Sequence, residues 1–170
     1  MTFRAPELLC ADHRLDDFRC SSEEQTDWLH RHARQSTSMS TTKVFVVTKS
    51  DSQDVVAYYA WRTAELAVES APPRLLKGAG RYPQPVALLA RLGVDEGHER
   101  KGLGAALLRD VLLRFAEVAG EIGCRALLVH AESDAARAFY VHLIPEFETS
   151  PTDALHLVLL AKDIARSLRQ

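Results

Sequence analysis

One stretch of the sequence joins an apolar segment to a helical pattern through a short loop that contains two glycines. Residues 86–94 form an apolar run that Arg91 interrupts, and such a run predicts a strand. Residues 105–119 carry apolar side chains at helical spacing, which predicts a helix. The polar loop between them closes on Gly102 and Gly104. A strand, a tight glycine loop and a helix in this order are typical of a sheet that is flanked by helices.

The loop has the composition of an anion-binding site. The first backbone amides of a helix have no acceptor within the helix, and the helix dipole favours negative charge there. Glycine lets the backbone approach a phosphate closely, and Arg100 and Lys101 stand beside the two glycines. The loop is not a dinucleotide fingerprint, because Leu107 replaces the third glycine, and it lacks the Gly-Lys-Ser/Thr of a Walker loop. We therefore hypothesise a pyrophosphate cradle of another kind, with a plain strand-to-helix turn as the alternative.

The remaining residues predict further strands and helices around this stretch. The predicted elements are an edge strand at 8–10, a helix from Ser21 or Ser22 to about Gln35, a connector at 36–42, strands at 43–48 and 55–66, a loop at 68–85, a strand at 126–129, a helix from 135 to about 143, a strand at 155–160 and a polar tail. The strand at 126–129 should run parallel to the strand at 86–94, because a helix connects them. We expect one domain over residues 1–170, of the α/β or α+β class, with a mixed central sheet flanked by helices.

Length and composition exclude several classes of protein. A chain of 170 residues suits one domain with a single core. No apolar run is long enough to span a membrane and the N-terminus has no apolar signal region, so we expect a cytoplasmic protein that does not bind membranes. Cys10, Cys20 and Cys124 are odd in number and lack metal-ligand spacing, which predicts reduced thiols and no metal site.

Positive charge is concentrated in the middle of the chain. Between residues 74 and 114, eight basic residues accompany four acidic ones, although the formal net charge of the whole chain is −2. A basic face suits an anionic ligand or RNA, whereas an ordinary solvated surface also explains such a cluster. The candidate RNA-binding residues are Arg74, Lys77, Arg81 and Arg91.

The glycine loop resembles the acyl-coenzyme A loop of the GNAT N-acetyltransferases, whose usual form is Gln/Arg-x-x-Gly-x-Gly/Ala at a helix N-terminus. Gly102 and Gly104 match this form, whereas Glu99 occupies the position of Gln or Arg. The resemblance implies the GNAT fold, acetyl-CoA as cofactor, pyrophosphate binding by loop amides and main-chain pairing of pantetheine with the end of the strand. The implied cofactor-binding residues are Leu92, Gly93, Val94, Arg100, Lys101, Gly102, Leu103, Gly104 and Ala105.

A second stretch, residues 133–140, resembles the Asn/Asp-x-x-Ala-x-x-Phe-Tyr pattern of the same family. Ala136, Phe139 and Tyr140 match it. The resemblance implies that Tyr140 lies near the thioester sulfur and protonates the leaving thiolate, with Phe139 as a further cofactor contact. Such a transfer is feasible because a phenol near pKa 10 and a thiol near pKa 8.5 differ by about 1.5 pKa units. An aromatic pair that packs a helix onto a sheet is the alternative.

The acceptor amine needs little activation. An α-amino group with a pKa near 8 is substantially neutral at about pH 7 to 8. We therefore assign no general base. Asp95, Glu96 and Glu99 are alternative candidates for that role, although carboxylates in loops are usually solvated.

Features outside the shared core resemble one branch of the family, the tRNA-acetylating toxins of type II toxin–antitoxin modules. The matching segments lie between about residues 18 and 163. They are Phe18-x-Cys20 with Trp28-Leu29, Tyr58-Tyr59-Ala60, Arg91-Leu92-Gly93-Val94-Asp95 and Ser150-Pro151-Thr152-Asp153-Ala154-Leu155-His156-Leu157. The resemblance implies acetylation of the α-amino group of aminoacyl-tRNA, which stops translation. It also implies a homodimer that a small ribbon-helix-helix antitoxin neutralises.

Two other functions stay open at this point. One is an N-acetyltransferase that acts on protein N-termini, lysines or small amines. The other is a catalytically inactive family member that serves as a binding or repressor subunit, and Glu99 favours this alternative. A further departure from the family pattern is Pro145-Glu146-Phe147, which replaces the more common Gly-Phe after the tyrosine helix.

Overall fold

The computed structural model describes residues 2–169, and this part of the chain contains seven strands and six helices. The strands are β1 (Glu7–Leu8), β2 (Lys43–Thr48), β3 (Val55–Leu66), β4 (Gln84–Val94), β5 (Ala126–His130), β6 (Glu148–Ser150) and β7 (Asp153–Leu160). The helices are α1 (Glu23–Arg31), α2 (Ala33–Ser38), α3 (Pro73–Leu76), α4 (Leu103–Ala119), α5 (Asp134–Leu143) and α6 (Ala161–Leu168). Short 3₁₀ turns lie at Val68–Ser70 and Glu96–His98.

The seven strands form one mixed sheet in the order β1-β2-β3-β4-β5-β7-β6. The pairs β1–β2, β2–β3, β5–β7 and β6–β7 are antiparallel. β4 and β5 are parallel, and their ladder runs from Val86 opposite Ala126 to Leu89 opposite Val129. Parallel neighbours need a crossover connection, which α4 supplies. The predicted fold class, a mixed central sheet flanked by helices, is confirmed.

The chain divides into two compact units. Within the described residues, the first unit comprises 2–62 and 90–110, and the second comprises 63–89 and 111–169. The divisions fall inside secondary structure, because β3, β4 and α4 each contribute residues to both units. One domain over the whole chain stays a prediction.

The core of the first unit contains β2, β3 and α1 side chains, and Tyr58 is fully buried in it. The Tyr58 ring packs almost at right angles to Phe18, with 5.5 Å between centroids, and parallel to Trp28 at 6.2 Å. Its hydroxyl donates a 2.7 Å hydrogen bond to the backbone oxygen of Gln25. Because the ring is packed on both sides and its polar end is satisfied, Tyr58 fixes α1 on the sheet.

The core of the second unit contains β5 and β7, whose residues 126–129 and 157–160 are buried. A buried carboxylate on α6, Asp163, completes it and accepts a 3.0 Å hydrogen bond from Arg74. The same guanidinium lies 3.0 Å from Glu148. The ion pairs connect α3, α6 and β6, and the Arg74 charge compensates the cost of burying Asp163.

Most predicted elements are confirmed, and the strands at 43–48 and 55–66 begin and end at the predicted residues. The helix predicted to run to Gln35 divides at His32, whose φ of −122° and ψ of −22° are not helical. Its capping residue is Ser22, whose hydroxyl oxygen accepts a 3.1 Å hydrogen bond from the amide of Gln25. The helix predicted after the glycine loop begins slightly earlier, at Leu103.

Two predictions were wrong, and one strand was missed. The expected loop at 68–85 contains a 3₁₀ turn, α3 and the start of β4. The expected polar tail forms α6, where Ile164 is buried. The missed strand, β6, pairs with β7. These elements are eight residues long or shorter, so tertiary contacts rather than local propensity stabilise them.

Candidate active site

β4 extends beyond its parallel partner. The last paired residues of the β4–β5 ladder are Leu89 and Val129, whereas β4 continues to Val94. The rest of β4 therefore lies outside this ladder. Main-chain pairing of Leu92, Gly93 and Val94 with pantetheine requires such a stretch, because a backbone group already bonded to a neighbouring strand is not available.

Gly93 packs against the core of the first unit. A Cβ at this position would lie 3.3 Å from both Cys20 Sγ and Tyr58 Cε1, and 3.5 Å from Phe18 Cζ. Any side chain would force these neighbours to shift, so glycine here permits close packing. The predicted cofactor contact of Gly93 uses only its main chain and is compatible with this environment.

Asp95 organises the start of the loop. Its carboxylate accepts hydrogen bonds from the backbone amides of Arg19 and Gly97, both at 3.0 Å. The same carboxylate lies 3.0 Å from His98 Nδ1. A carboxylate with these three partners holds the turn at Glu96–His98 in place and is poorly suited to accept a proton from a substrate amine.

Two residues in the left-handed region shape the rest of the loop. Arg100 has a φ of 62° and Gly102 has a φ of 80°. Such angles cost a residue with a Cβ, such as Arg100, some backbone strain, whereas glycine adopts them without strain and is therefore favoured at position 102. Within the described part of the chain, no atom lies within 4 Å of the Cβ position at Gly102, so the space beside it is open.

The start of α4 presents unpaired backbone donors. Its first helical hydrogen bond joins the amide of Ala106 to the carbonyl of Gly102 at 3.0 Å. The amides of Leu103, Gly104 and Ala105 have no acceptor among residues 2–169. Since these N–H groups stand at the positive end of a 17-residue helix, they can bind an anion such as a pyrophosphate.

Three charged side chains stand beside these donors. Glu99, Arg100 and Lys101 are all exposed. The two cations favour a bound anion, and the carboxylate opposes it over the same short range. The hydrogen bonds from the backbone amides do not depend on which side chains surround them, so they remain available to an anion with Glu99 in place.

α5 carries the tyrosine stretch, and its N-terminal half is well fixed in the second unit. The hydroxyl of Ser133 accepts a 3.1 Å hydrogen bond from the amide of Ala136. Arg137 donates to the backbone oxygen of Ala154 at 3.0 Å and to the Thr149 hydroxyl at 2.8 Å. These contacts hold α5 in one orientation and so restrict the direction of its side chains.

The Tyr140 ring is buried, with 6% of the residue exposed. It packs edge-on against Phe139 at 5.1 Å and Phe147 at 6.1 Å between centroids. Burial, and secondarily the charge of Glu132, raises the pKa of Tyr140 above that of an ordinary phenol. The side chain is therefore protonated at neutral pH.

The Tyr140 hydroxyl has no hydrogen-bond partner in the described part of the chain. The hydroxyl is therefore not committed to another residue of this part of the chain and is left to donate to a bound ligand.

The four candidate RNA-binding residues lie in different environments. Arg91 donates to Glu24 at 2.9 Å, and its guanidinium carbon lies 5.5 Å from the centre of the Trp28 ring. These contacts fasten β4 to α1, and they neutralise much of the charge that RNA would need.

The other three candidates belong to the second unit. Arg74 forms the ion pairs with Asp163 and Glu148 described above. Lys77 and Arg81 are exposed, and neither has an ion-pair partner among residues 2–169. The structure therefore brings Arg74, Lys77 and Arg81 into one unit and places Arg91 in the other.

Comparison with known proteins identifies the family. Residues 7–143 match the model described as the acetyltransferase (GNAT) family. The chain belongs to the GNAT acetyltransferase family. Members of this family are acyltransferases that use acetyl-CoA, so the predicted enzyme class and cofactor are confirmed at the level of the family.

A curated relative resembles this acetyltransferase over nearly its whole length. The chain is 40% identical to the tRNA-acetylating toxin of Mycobacterium tuberculosis (strain ATCC 25618 / H37Rv) over 166 residues. The alignment covers 98% of this chain and 96% of the relative. The predicted resemblance to toxins of this kind is therefore confirmed.

Solved structures share the fold of this acetyltransferase at lower sequence identity. AtaT complexed with acetyl-methionyl-tRNAfMet is 20% identical, with a TM-score of 0.87 and coverage of 98% of this chain and 99% of that one. A tyrosine-to-phenylalanine mutant of AtaT bound to the C-terminus of the antitoxin AtaR and acetyl-CoA is 20% identical, with a TM-score of 0.83 and full coverage of both chains.

Two further features bear on the predictions for this acetyltransferase. Within residues 2–169, no group of three or more His, Cys, Asp or Glu side chains is placed to hold a metal ion. None of the helices in that range is both long enough and apolar enough to cross a membrane.

Sequence reasoning missed the role of Asp95, which it considered only as a possible base. The Asp-x-Gly spacing of Asp95 and Gly97 is typical of a side chain that caps its own turn, and this signal could have identified it. Its bond to the amide of Arg19 joins residues far apart in sequence. No local pattern predicts that contact.

Proposed function

We propose that this acetyltransferase transfers the acetyl group of acetyl-CoA to the α-amino group of aminoacyl-tRNA and so blocks translation. The observation that carries the proposal is the 40% identity to a tRNA-acetylating toxin over 98% of this chain. The similarity of fold to AtaT, solved with an acetylated methionyl-tRNA, supports it.

The glycine loop would bind the coenzyme. In this proposal, the amides of Leu103, Gly104 and Ala105 donate to the pyrophosphate, because the protein offers them no acceptor of its own. Arg100 and Lys101 add positive charge. The support is the open space beside Gly102 and the unpaired donors at the start of α4.

The extended part of β4 would hold the pantetheine arm. Main-chain groups of Leu92, Gly93 and Val94 would pair with its amides, as a neighbouring strand does. Phe139 would contribute an apolar contact with the coenzyme from α5. The support for the β4 contacts is the end of the β4–β5 ladder at Leu89.

Tyr140 would act on the leaving sulfur. When the amine nitrogen bonds to the thioester carbonyl and the carbon–sulfur bond breaks, the sulfur gains negative charge that a hydroxyl can stabilise. Burial raises the pKa of Tyr140, so the phenol stays protonated in the ground state, but it is then a weaker acid toward a thiolate than an ordinary phenol. The phenol then donates its proton to the thiolate and recovers one from solvent, and the amine loses its extra proton to solvent.

No residue would serve as a dedicated general base. The α-amino group of an aminoacyl ester is substantially neutral near pH 8, since its reference pKa is about 8. Asp95 is engaged by Arg19, Gly97 and His98. Glu96 and Glu99 are exposed in the loop and therefore solvated.

The resemblance to toxins also suggests the partners. In this proposal residues 1–170 form one acetyltransferase domain that acts as a homodimer in the cytoplasm, where aminoacyl-tRNA is consumed. A small ribbon-helix-helix antitoxin would neutralise it. The similarity to AtaT, solved with the C-terminus of the antitoxin AtaR, supports a protein inhibitor of this kind.

Incubation with radiolabelled acetyl-CoA tests the proposal. The label should pass to methionyl-tRNA and to other charged tRNAs, and it should not pass to deacylated tRNA, which lacks the amine. Peptides with free N-termini, lysine and small amines are the comparison substrates. Efficient acetylation of a peptide or small amine, with no label on charged tRNA, would overturn the assignment of the acceptor.

A further inference from the structure

A cavity in the second unit is lined by cationic side chains. It has a volume of about 370 Å³ and lies between α3, the start of β5 and the start of α6. Four basic residues line it, and no acidic residue does. They are Arg74, Lys77, Arg125 and Lys162.

Much of this positive charge is uncompensated. Lys77 and Lys162 are exposed and have no ion-pair partner among residues 2–169. Arg125 is half-buried and uses only Nη1, which donates to the backbone oxygen of Leu75 and to Gln84 Oε1. Its other N–H groups have no acceptor in the same range, so the cavity offers both charge and directed donors.

An exposed aromatic ring is connected to the wall of this cavity. Gln84, which is buried, accepts from Arg125 at 2.6 Å and donates to the backbone oxygen of Tyr82 at 2.6 Å. The Tyr82 ring lies so close to Gly80 that a Cβ there would be 2.8 Å from Tyr82 Cε2. Tyr82 itself is 69% exposed. The hydrogen bond fixes the backbone of residue 82, and the ring lies against Gly80 and remains open to stacking.

We propose that the cavity binds backbone phosphates of tRNA and that Tyr82 stacks on one of its bases. Cationic grooves that track phosphates, together with aromatic side chains that stack on bases, are the usual means of binding nucleic acid without base readout. An acidic protein segment would use the positive charge but would gain little from an isolated exposed ring. The observations therefore favour RNA.

The distance between the cavity and Tyr140 favours a large ligand that can reach both places. Arg125 directly precedes β5, and α5 follows the other end of that strand. β5 has five residues and is therefore roughly 17 Å long. A small amine that reacts near Tyr140 would not reach the cavity, whereas an RNA chain spans such a distance. The inference rests on the proposed function, because it takes tRNA as the acceptor.

Binding of deacylated tRNA, measured by fluorescence anisotropy over a range of KCl concentrations, tests the cavity without the reaction. The double variant Lys77→Glu/Lys162→Glu should bind tRNA at least about 10-fold more weakly, and the slope of log affinity against log salt should fall by about 2. The affinity for acetyl-CoA should stay unchanged. The matched control is Arg31→Glu/Lys43→Glu, which makes the same change of charge at exposed residues of the first unit and should leave tRNA affinity nearly unaltered.

Substitutions of Tyr82 test the stacking separately. Tyr82→Ala should weaken tRNA binding about 5-fold or more, whereas Tyr82→Phe should stay within about 2-fold of the original chain, because a base stack needs only the ring. Equal losses in the two variants would remove stacking from the account. Melting temperatures of all variants identify any loss that comes from unfolding.

Several outcomes would overturn the proposal. One is wild-type tRNA affinity and salt slope in Lys77→Glu/Lys162→Glu. Another is unchanged tRNA binding with a loss of affinity for polyglutamate or for acetyl-CoA, which would assign the cavity to an acidic peptide or to the coenzyme. Failure of the unmodified protein to acetylate charged tRNA would instead contradict the proposed function, and the anisotropy series decides the cavity independently of that assay.

Discussion

The glycine loop and the tyrosine helix would serve the same reaction through opposite kinds of chemistry. The loop offers backbone amides at the start of α4, and most of its side chains are exposed. α5 offers one hydroxyl, on a ring that Phe139 and Phe147 enclose. The loop should therefore tolerate the loss of side chains but not added bulk or charge, whereas Tyr140 should not tolerate the loss of a single oxygen.

The two regions also differ in what each should control. Backbone donors that bind a pyrophosphate act equally before and during the reaction, so they lower the dissociation constant of the coenzyme. A hydroxyl that meets the sulfur only as charge develops acts on turnover. Kinetic and binding constants measured separately can therefore distinguish the two roles.

The largest effect is expected for Tyr140→Phe. This change keeps the packed ring and removes the donor, so kcat should fall by about 10²-fold to 10⁴-fold. The dissociation constant of acetyl-CoA should change by less than about 2-fold, because the ground state of the coenzyme does not need the hydroxyl. Single-turnover acetylation and isothermal titration calorimetry give the two numbers.

Tyr82→Phe is the matched control, since it removes the same oxygen from an exposed tyrosine. It should leave kcat for aminoacyl-tRNA nearly unaltered. A kcat in Tyr140→Phe close to that of the original chain would remove the tyrosine from the mechanism.

The next largest effect is expected for Gly104→Glu. A carboxylate in the first turn of α4 would occupy the place of the pyrophosphate and repel it, so the affinity for acetyl-CoA should fall by about 10²-fold or more. The fold should survive, because an acidic side chain near a helix N-terminus is favourable. Calorimetry and thermal unfolding measure the two properties.

Gly123→Glu is the control for this change. Gly123 is exposed, and a Cβ there would meet nothing within 4 Å in the described part of the chain. The control should bind acetyl-CoA normally. Wild-type affinity in Gly104→Glu itself would disprove the cradle.

A smaller effect on both binding and stability is expected for Asp95→Ala. The change leaves the amides of Arg19 and Gly97 without their acceptor, and because both contacts are exposed to water the loss should cost about 0.5–1.5 kcal/mol of unfolding free energy. The loop would lose its fixed start, so acetyl-CoA should bind about 10-fold more weakly because the loop is no longer pre-formed. Urea unfolding and calorimetry provide the measurements.

The comparison variant is Glu96→Ala, which removes a neighbouring exposed carboxylate. It should change neither the unfolding free energy nor the affinity for acetyl-CoA. Normal stability in Asp95→Ala would mean that its three contacts do not hold the turn.

The smallest effect is expected for Glu99→Gln. Removal of an exposed negative charge beside Arg100 and Lys101 should strengthen acetyl-CoA binding by about 2-fold to 5-fold at low salt. The gain should shrink at high salt, because solvent ions screen exposed charges. Weaker binding in Glu99→Gln would show that the carboxylate has a role which charge alone does not explain.

Local sequence patterns predicted the parts of the fold that local forces determine. β2 and β3 begin and end where their apolar runs meet turn residues. The start of α5 also follows from a local cap, Ser133. In contrast, α6 was missed although Leu160, Ile164 and Leu168 recur at a spacing of four residues, a helical signal that could have predicted it.

The candidate site also contains features that a local motif predicts and contacts that only the folded chain reveals. Gly102 and Gly104 are separated by one residue at the start of α4, so the loop could be predicted from a short motif. The ion pair of Arg91 with Glu24 joins residues far apart in sequence and could not be predicted. The basic cavity was missed for the same reason, because Arg125 and Lys162 become neighbours of Lys77 only in the folded chain.

The central claim is that unpaired amides at the start of α4 bind the pyrophosphate of acetyl-CoA. Titration of ¹⁵N-labelled protein with acetyl-CoA, followed by amide resonances, tests it most directly. Large shifts are expected for the amides of Leu103, Gly104 and Ala105, and none for Gly123. Saturable binding of acetyl-CoA that leaves those three amides unmoved would contradict it.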